Sequence, residues 1–303
     1  MKKFLLTLAT IALISLLAAC GSSEEGSSSD DSSSNSGDSG EEASEETSEI
    51  TVGATSVPHA EVLQEAKPLL EEEGITLNIE EYQDYVLPNR DLSEGIIDAN
   101  YFQHIPYLNT QMEENDYDFA NLGGIHIEPM GIYSKGIESI EDVEEGTTVL
   151  MSRSVADHGR ILSLLEKEGL VKIDPEVDPI NAQLEDVVEN PKNLEFDAGI
   201  DAALLPENYE REENSLVAIN TNYAIQAGLN PSEDSLILEG SESPYVNVIA
   251  AKSEDEDNEA LNTLVEVLRS DEIQTFMEEE YDGAVVPVDG QDSGDSESSE
   301  DSE

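Results

Sequence analysis

The side chains best suited to binding chemistry lie in segments that follow predicted strands. Tyr85 belongs to the segment DYVLPNR, in which Pro88 should interrupt any helix and leave Tyr85 on a loop. Phe102 and His104 belong to the segment 98–107, DANYFQHIPY, which is dense in aromatic and amide side chains. Because loops after strands commonly carry binding residues, both segments are candidates for a ligand site. The structural alternatives are that both rings are core aromatics and that His104 starts a helix.

Three further polar residues stand at the ends of predicted elements. Arg160 follows the predicted strand 147–151 and carries a planar guanidinium suited to a carboxylate, or to a structural ion pair in so acidic a chain. Asn220 follows the strand 216–219, where a helix N-cap is the alternative. Asn247 enters a predicted strand although asparagine is a poor strand former. None of these residues alone indicates a site.

No arrangement of residues in the sequence indicates catalysis. A G-x-S-x-G elbow, a P-loop lysine motif and a G-x-G-x-x-G run after a strand are all missing. The histidines lack H-x-x-x-H and H-E-x-x-H spacing, so a metal site would need distant loops to converge. Carboxylates are too numerous for any pair to indicate acid–base chemistry. We expect no enzymatic activity, cofactor or metal. The four histidines are His59, His104, His126 and His158.

Cys20, the only cysteine, stands where a bacterial lipoprotein signal would end. Lys2 and Lys3 precede the apolar run 4–19, which closes on Leu-Ala-Ala-Cys. An uncleaved membrane helix is the alternative, but the run is shorter than the roughly 20 apolar residues that a spanning helix needs. The pattern predicts that 1–19 is removed and that Cys20 is lipidated. We therefore expect the mature protein to be anchored in the cell membrane on its extracytoplasmic face.

The composition is strongly acidic, with 13 Lys and Arg against 70 Asp and Glu and a formal net charge of −57. This charge excludes a general affinity for nucleic acid or for anionic lipid headgroups. The segments 20–49 and 289–303 are almost entirely Ser, Gly, Asp and Glu, which predicts a disordered tether and a disordered tail. Acidic residues stay dense between them, which indicates a protein adapted to high salt.

The pattern of the remaining residues alternates short strands with helices. A strand at 50–54, a helix at 60–73 and a strand at 75–79 predict a β-α-β unit with parallel strands. The same alternation returns from residue 147 onward, so we predict two α/β lobes. In such architectures ligands bind at the carboxyl ends of strands. The predicted lobes are 50–135 plus 245–288, and 136–244.

Five sequence motifs together resemble the methionine-binding lipoproteins of the NlpA family. They are VGAT with VPHAE, DYVLPN, DAN-x-FQH-x-PYL, VENPKNL and SPYVN, and the similarity extends from residue 50 to about residue 283. The resemblance implies the solute receptor of an ABC importer. It implies a two-lobed periplasmic-binding-protein type II fold with methionine, expected in its L form, in the cleft between the lobes. The implied partners are a membrane permease and its ATPase subunit, and we expect a monomer.

The resemblance also assigns the pocket residues by motif position. It implies Arg160 for the ligand carboxylate and the amide oxygens of Asn220 and Asn247 for the ammonium. It implies the rings of Tyr85 and Phe102 around the thioether. His104 completes the predicted set. Another small amino acid, a dipeptide or a methionine derivative remains the alternative ligand on the same scaffold.

One position departs from the family pattern. Asp157 stands where many relatives carry an asparagine three residues before the pocket arginine, and His158 follows it where an apolar residue is usual. Two hypotheses stay open: Asp157 pairs with Arg160, or it approaches the ligand ammonium. Either one would change the affinity for the ligand.

Overall fold

The computed structural model of the protein describes residues 47–240 and 243–288. The predicted signal sequence, Cys20, the tether up to residue 46 and the tail from residue 289 lie outside the described residues. Among the described residues, no helix is long and apolar enough to cross a membrane.

The described chain alternates strands and helices throughout, as the sequence predicts. The strands are β1 Ser48–Thr55, β2 Ile75–Tyr82, β3 Ala99–His104, β4 Phe119–Ile127, β5 Gly131–Tyr133, β6 Thr148–Ser152, β7 Lys172–Ile173, β8 Val187–Glu189, β9 Glu195–Ile200, β10 Leu216–Ile219, β11 Ile237–Leu238, β12 Val246–Lys252 and β13 Val286–Pro287. The helices are α1 Glu61–Glu72, α2 Leu87–Ser93, α3 Ile105–Asn115, α4 His158–Lys167, α5 Leu205–Arg211, α6 Thr221–Gln226, α7 Pro231–Asp234, α8 Glu259–Leu268 and α9 Asp271–Tyr281.

The first lobe, called lobe 1 below, is built on a six-stranded sheet in the order β13-β4-β12-β3-β1-β2. β1 pairs in parallel with β2 and β3, which confirms the predicted β-α-β unit. The 3.6-residue pattern predicts five side chains on the buried face of helix α1; four of them are buried and the fifth, Leu69, is only partly buried. Gly74 ends this helix region with a φ of +76°, a conformation that glycine adopts without a Cβ clash. The buried side chains are Val62, Leu63, Ala66 and Leu70.

The second lobe, lobe 2, is built on a five-stranded sheet in the order β11-β5-β10-β6-β9. β5 pairs with β10 and β11 in this sheet. The sequence boundary at residue 135 would have placed β5 in lobe 1. The backbone hydrogen bonds instead join it to lobe 2, so the chain crosses between the sheets at 128–130.

Two local expectations from the sequence are wrong. Pro88 does not prevent a helix; it lies in the first turn of α2, where a missing N–H costs no intrahelical bond. Tyr85 still precedes that helix, as predicted. Phe102 and His104 lie within β3 rather than on a loop. Every residue of β3 is buried, so its sequence lacks the alternation of a half-exposed strand.

The sheet topology brings the carboxyl ends of several strands toward one cleft. β6 and β10 are parallel neighbours in lobe 2, so the connections that follow them lie side by side. In lobe 1, β12 runs antiparallel to β3, and its register places Asn247 opposite His104. The first residues of β12 therefore reach the same edge as the last residues of β3.

Candidate functional site

Side chains from both lobes line a single cavity at the cleft between them. The structure brings all six predicted pocket residues to this cavity. They are Tyr85, Phe102, His104, Arg160, Asn220 and Asn247. Six more residues line it: Gln103, Tyr107, Glu128, Asp157, Thr221 and Asn222.

The lobe 1 wall of the cavity is aromatic. The ring of Tyr85 lies 6.0 Å, between centroids, from Phe102 and 6.0 Å from Tyr107. The Tyr107 hydroxyl donates to the Tyr85 carbonyl at 2.9 Å, which fixes the loop that carries Tyr85. Burial raises the pKa of Tyr85 well above its ordinary value, so its phenol stays neutral. This wall can hold an apolar, polarizable group.

His104 and Asp157 face each other across the cleft. His104 caps the start of α3, because its Nδ1 accepts the backbone N–H of Tyr107 at 3.1 Å. The predicted helix-start role and the position in the cavity are therefore both present. His104 Nε2 lies 3.2 Å from Asp157 Oδ1. Burial opposes ionisation of Asp157, but His104 and Arg160 outweigh it and hold the pKa of this carboxyl below its ordinary value.

Arg160, in the first turns of α4, is held by lobe 2 and by the crossover between the lobes. Its Nε donates to Glu239 Oε2 at 2.7 Å, and its Nη2 bonds the same oxygen. Nη2 also donates to the Glu128 carbonyl at 2.5 Å. The guanidinium lies 4.6 Å from the ring centroid of Tyr245. The ion-pair alternative is thus correct, with Glu239 as the partner.

The Arg160 ion pair leaves one nitrogen for a ligand. Nη1 of Arg160 makes no hydrogen bond with any residue in 47–240 or 243–288, and the side chain lines the cavity. Among these same residues Asp157 bonds His104 and Asn220, not Arg160. Of the two hypotheses for Asp157, the hydrogen-bonded pair with Arg160 is therefore wrong.

Two asparagines at the start of α6 carry buried polar atoms without partners. Asn220 occupies the N-cap position, but its side chain makes no capping hydrogen bond, so the N-cap alternative does not account for it. Within the described residues, Asn220 Oδ1 and Asn222 Nδ2 are buried and unpartnered. Asn222 Oδ1 accepts the Tyr85 hydroxyl at 2.5 Å across the cleft. Buried polar atoms without partners are rare, and here a bound ligand would satisfy them.

Asn247 lines the cavity from β12, but the side-chain atom that it offers to a ligand differs from the predicted one. Its Oδ1 lies 3.3 Å from His59 Nε2, so the oxygen assigned to a ligand ammonium already has a partner. Its Nδ2 makes no hydrogen bond with the residues that the structure describes. In this arrangement Asn247 offers a ligand a donor, which suits a carboxylate better than an ammonium.

Glu128 lies at the crossover between the lobes and joins both of them. Its Oε1 lies 3.2 Å from His59 Nε2 and 2.9 Å from His126 Nε2, both in lobe 1. Its Oε2 accepts the backbone N–H of Asn222 at 3.0 Å, in lobe 2. Burial opposes ionisation of Glu128, but His59, His126 and Arg160 lower its pKa below the ordinary value. Burial also lowers the pKa of His59 to about 4, so this imidazole is neutral.

The cluster of His59, His126 and Glu128 also has the donor set of a metal site. Their three ligand atoms lie within 4.8 Å of one another, which sequence spacing could not reveal. The other ring nitrogens are engaged as well: Thr55 Oγ1 lies 2.7 Å from Nδ1 of His59, and the Tyr101 hydroxyl 2.5 Å from Nδ1 of His126. Hydrogen bonds thus satisfy the cluster without an ion.

Glu128 and Asn222 are the two cavity residues of greatest interest that sequence analysis missed. Glu128 was hidden among 70 acidic residues, and only its place in the apolar run IHIEPM distinguishes it. Asn222 follows the predicted Asn220 by two residues in INTNY. An asparagine pair at a predicted helix start, after a buried strand, is the signal that could have found it.

Comparison with known proteins gives consistent matches over most of the chain. Residues 50–289 match the family model described as NlpA lipoprotein. The chain is 47% identical over 242 residues to the methionine-binding lipoprotein MetQ of Bacillus subtilis, covering 79% of this chain and 88% of that protein.

Solved structures give the same result. A nutrient binding protein from Burkholderia cenocepacia bound to methionine matches with a TM-score of 0.75 and 35% identity, covering 79% of this chain and 100% of that one. An ABC transporter periplasmic substrate-binding protein from Coxiella burnetii matches with a TM-score of 0.74 and 36% identity, over 79% and 100% of the two chains. The two-lobed fold, the matched residues and the level of identity agree: the chain belongs to the NlpA lipoprotein family.

Proposed function

We propose that this protein binds methionine in the cleft between its lobes and delivers it to the permease of an ABC importer. The observation that carries the proposal is the convergence of an aromatic wall, one available guanidinium nitrogen and two unpartnered buried amide atoms in a single cavity. Relatives named as methionine-binding lipoproteins, and a similar structure bound to methionine, support this ligand class.

Each group of the amino acid finds a counterpart in the cavity. The carboxylate is bound by Nη1 of Arg160 and Nδ2 of Asn247, both of which are donors. The ammonium approaches the unpartnered Oδ1 of Asn220. The thioether lies against the rings of Tyr85 and Phe102, which give a sulfur favourable aromatic contacts.

The two-lobed structure provides a way to release the ligand to the permease. Tyr85 of lobe 1 bonds Asn222 of lobe 2, and His104 bonds Asp157, so contacts around the cavity hold the lobes together. Opening these contacts releases the ligand to the permease, and the ATPase subunit drives the transport step. In this proposal the receptor acts as a monomer and is held on the extracytoplasmic face of the membrane by a lipid on Cys20.

Titration calorimetry of the purified full-length mature protein tests the ligand. The protein is first unfolded and refolded to remove any bound ligand, and is then titrated in high salt with L-methionine, D-methionine, other amino acids and methionine dipeptides. We expect saturable one-to-one binding of methionine, tighter for the L form. Binding of another amino acid or of a dipeptide, with no heat from either enantiomer of methionine, would contradict the proposal.

A further inference from the structure

Asp157 is a buried carboxylate with few hydrogen bonds. Its side chain is 2% exposed and lines the cavity. Oδ1 has His104 Nε2 at 3.2 Å, and Oδ2 has only Asn220 Nδ2 at 3.5 Å, the long limit of a hydrogen bond. A buried carboxylate accepts more bonds than this when it is satisfied within the protein.

The positive charge of Arg160 is already paired with a carboxylate other than Asp157. Arg160 gives Nε and Nη2 to Glu239, so that carboxylate already balances its charge. His104 accepts the N–H of Tyr107 at Nδ1, so its Nε2 faces Asp157 as a hydrogen-bond donor. Glu128 adds a second carboxylate to the lining. The cavity therefore carries more negative than positive charge.

A second unsatisfied atom stands beside Asp157. Asn220 donates its Nδ2 to Asp157, so the Oδ1 of the same amide is held close to this carboxylate. That Oδ1 is buried and has no partner among the described residues. A carboxylate oxygen and an amide oxygen, both short of donors, form a site for a group with several N–H bonds and a positive charge.

We propose that Asp157 Oδ2 and Asn220 Oδ1 form an ammonium site that makes a free α-ammonium group obligatory, so that the receptor rejects N-acylated and desamino forms of its ligand. This inference rests on the proposed function, because it takes an amino acid as the ligand. It assigns to Asp157 the discrimination between free and N-blocked amino acids. An asparagine at this position would carry no charge and would lack this discrimination.

The physical reason is the cost of a buried carboxylate without a cation. An ammonium supplies one positive charge and three donors to Asp157 and Asn220. An N-acyl group removes the charge and leaves a single N–H. Removing one partner of a buried charge pair weakens binding strongly, and much of the loss comes from the charge left unpaired. Specificity then arises from a penalty on the wrong ligand as well as from contacts with the right one.

Competition between three ligands on the wild-type protein tests the site first. Methionine, N-acetylmethionine and the desamino analogue of methionine are compared by calorimetry. We expect methionine to bind at least about 100-fold more tightly than either analogue. Wild-type protein that binds methionine and N-acetylmethionine within about threefold of each other would overturn the inference and leave methionine binding standing.

Asp157→Asn then tests which residue is responsible. The amide keeps the shape and removes the charge, so we expect weaker binding of methionine, unchanged or improved binding of N-acetylmethionine, and a ratio at least about tenfold smaller. Asp257→Asn, at an exposed position next to α8, is the matched control and should leave the ratio unchanged. A ratio in Asp157→Asn equal to that of the wild type would overturn the inference. Wild-type protein that binds neither enantiomer of methionine would instead refute the proposed function.

Discussion

At the scale of single residues, Arg160 forms the structural ion pair and, in our proposal, also binds the ligand carboxylate. Its bonds to Glu239 and its stacking on Tyr245 hold the guanidinium in place, while Nη1 remains for a ligand. A side chain already fixed by the protein loses little conformational freedom when a ligand binds. The ion pair is thus a means of orienting the cation rather than evidence against a binding role.

Arg160→Ala should weaken methionine binding by at least about 30-fold, because the ligand carboxylate would lose its cation and would face the unpaired Glu239. Calorimetry gives the affinity, and circular dichroism checks that the variant is folded. Arg211→Ala is the control, since Arg211 is exposed on α5 and pairs with Glu207, away from the cavity. A loss of less than about tenfold, or roughly 1.4 kcal/mol, would show that Arg160 does not bind the carboxylate.

At the scale of elements, the sequence predicts strands and helices that follow from a local residue pattern. It misses groups of residues that come together only when distant segments fold against each other. The β-α-β unit at the start of lobe 1 follows from periodicity, and the structure confirms it. β3 was missed because a strand buried on both faces has no alternation to detect. Glu128 was missed because its importance comes from His59 and His126, which lie on different elements. The six pocket residues came from family motifs, and their roles toward a ligand are still predictions.

The cluster around Glu128 predicts a pH dependence of stability. Burial lowers the pKa of His59 from 6.5 to about 4 in the folded protein. Between these two values the unfolded chain binds a proton at His59 and the folded chain does not, so stability falls as the pH decreases. A depressed carboxylate such as Glu128 adds its own loss only at lower pH, because its stabilisation is present above the ordinary carboxyl pKa.

His59→Gln should therefore flatten the stability profile between pH 6.5 and 5. Over this range the free energy of unfolding of the wild type should fall by about 2 kcal/mol relative to the variant. Denaturant titrations at several pH values measure the difference. A gap between wild type and variant that stays constant from pH 7 to 5 would show that His59 takes up its proton equally in both states.

At the scale of the whole molecule, negative charge greatly exceeds positive charge. The exposed basic side chains of the described residues are mostly paired with carboxylates, as in Lys135 with Glu210 and Arg153 with Asp201. Such exposed pairs contribute little to stability individually. With 70 acidic residues against 13 basic ones, most carboxylates have no cation to balance them.

The melting temperature should rise with sodium chloride, because salt shortens the range of carboxylate repulsion from about 10 Å at 0.1 M to about 3 Å at 1 M. Scanning calorimetry of the full mature chain and of a form without 20–46 and 289–303 separates the folded lobes from the acidic termini. We expect the shortened form to keep most of the salt dependence. A melting temperature that is the same at low and molar salt would contradict adaptation to salt, with no bearing on the ligand.

The bond between Arg160 and Glu239 also has a kinetic consequence. A guanidinium that already shares its charge with a protein carboxylate attracts a second carboxylate less strongly than an unpaired one would. When the ligand leaves, Arg160 is not left as an isolated buried charge, because Glu239 stays bound to it. If Arg160 binds the ligand carboxylate as proposed, we expect the ligand to dissociate faster than it would from an unpaired guanidinium. A receptor that passes its ligand to a membrane permease needs rapid release as well as tight binding. In our proposal, the ion pair between Arg160 and Glu239 favours release.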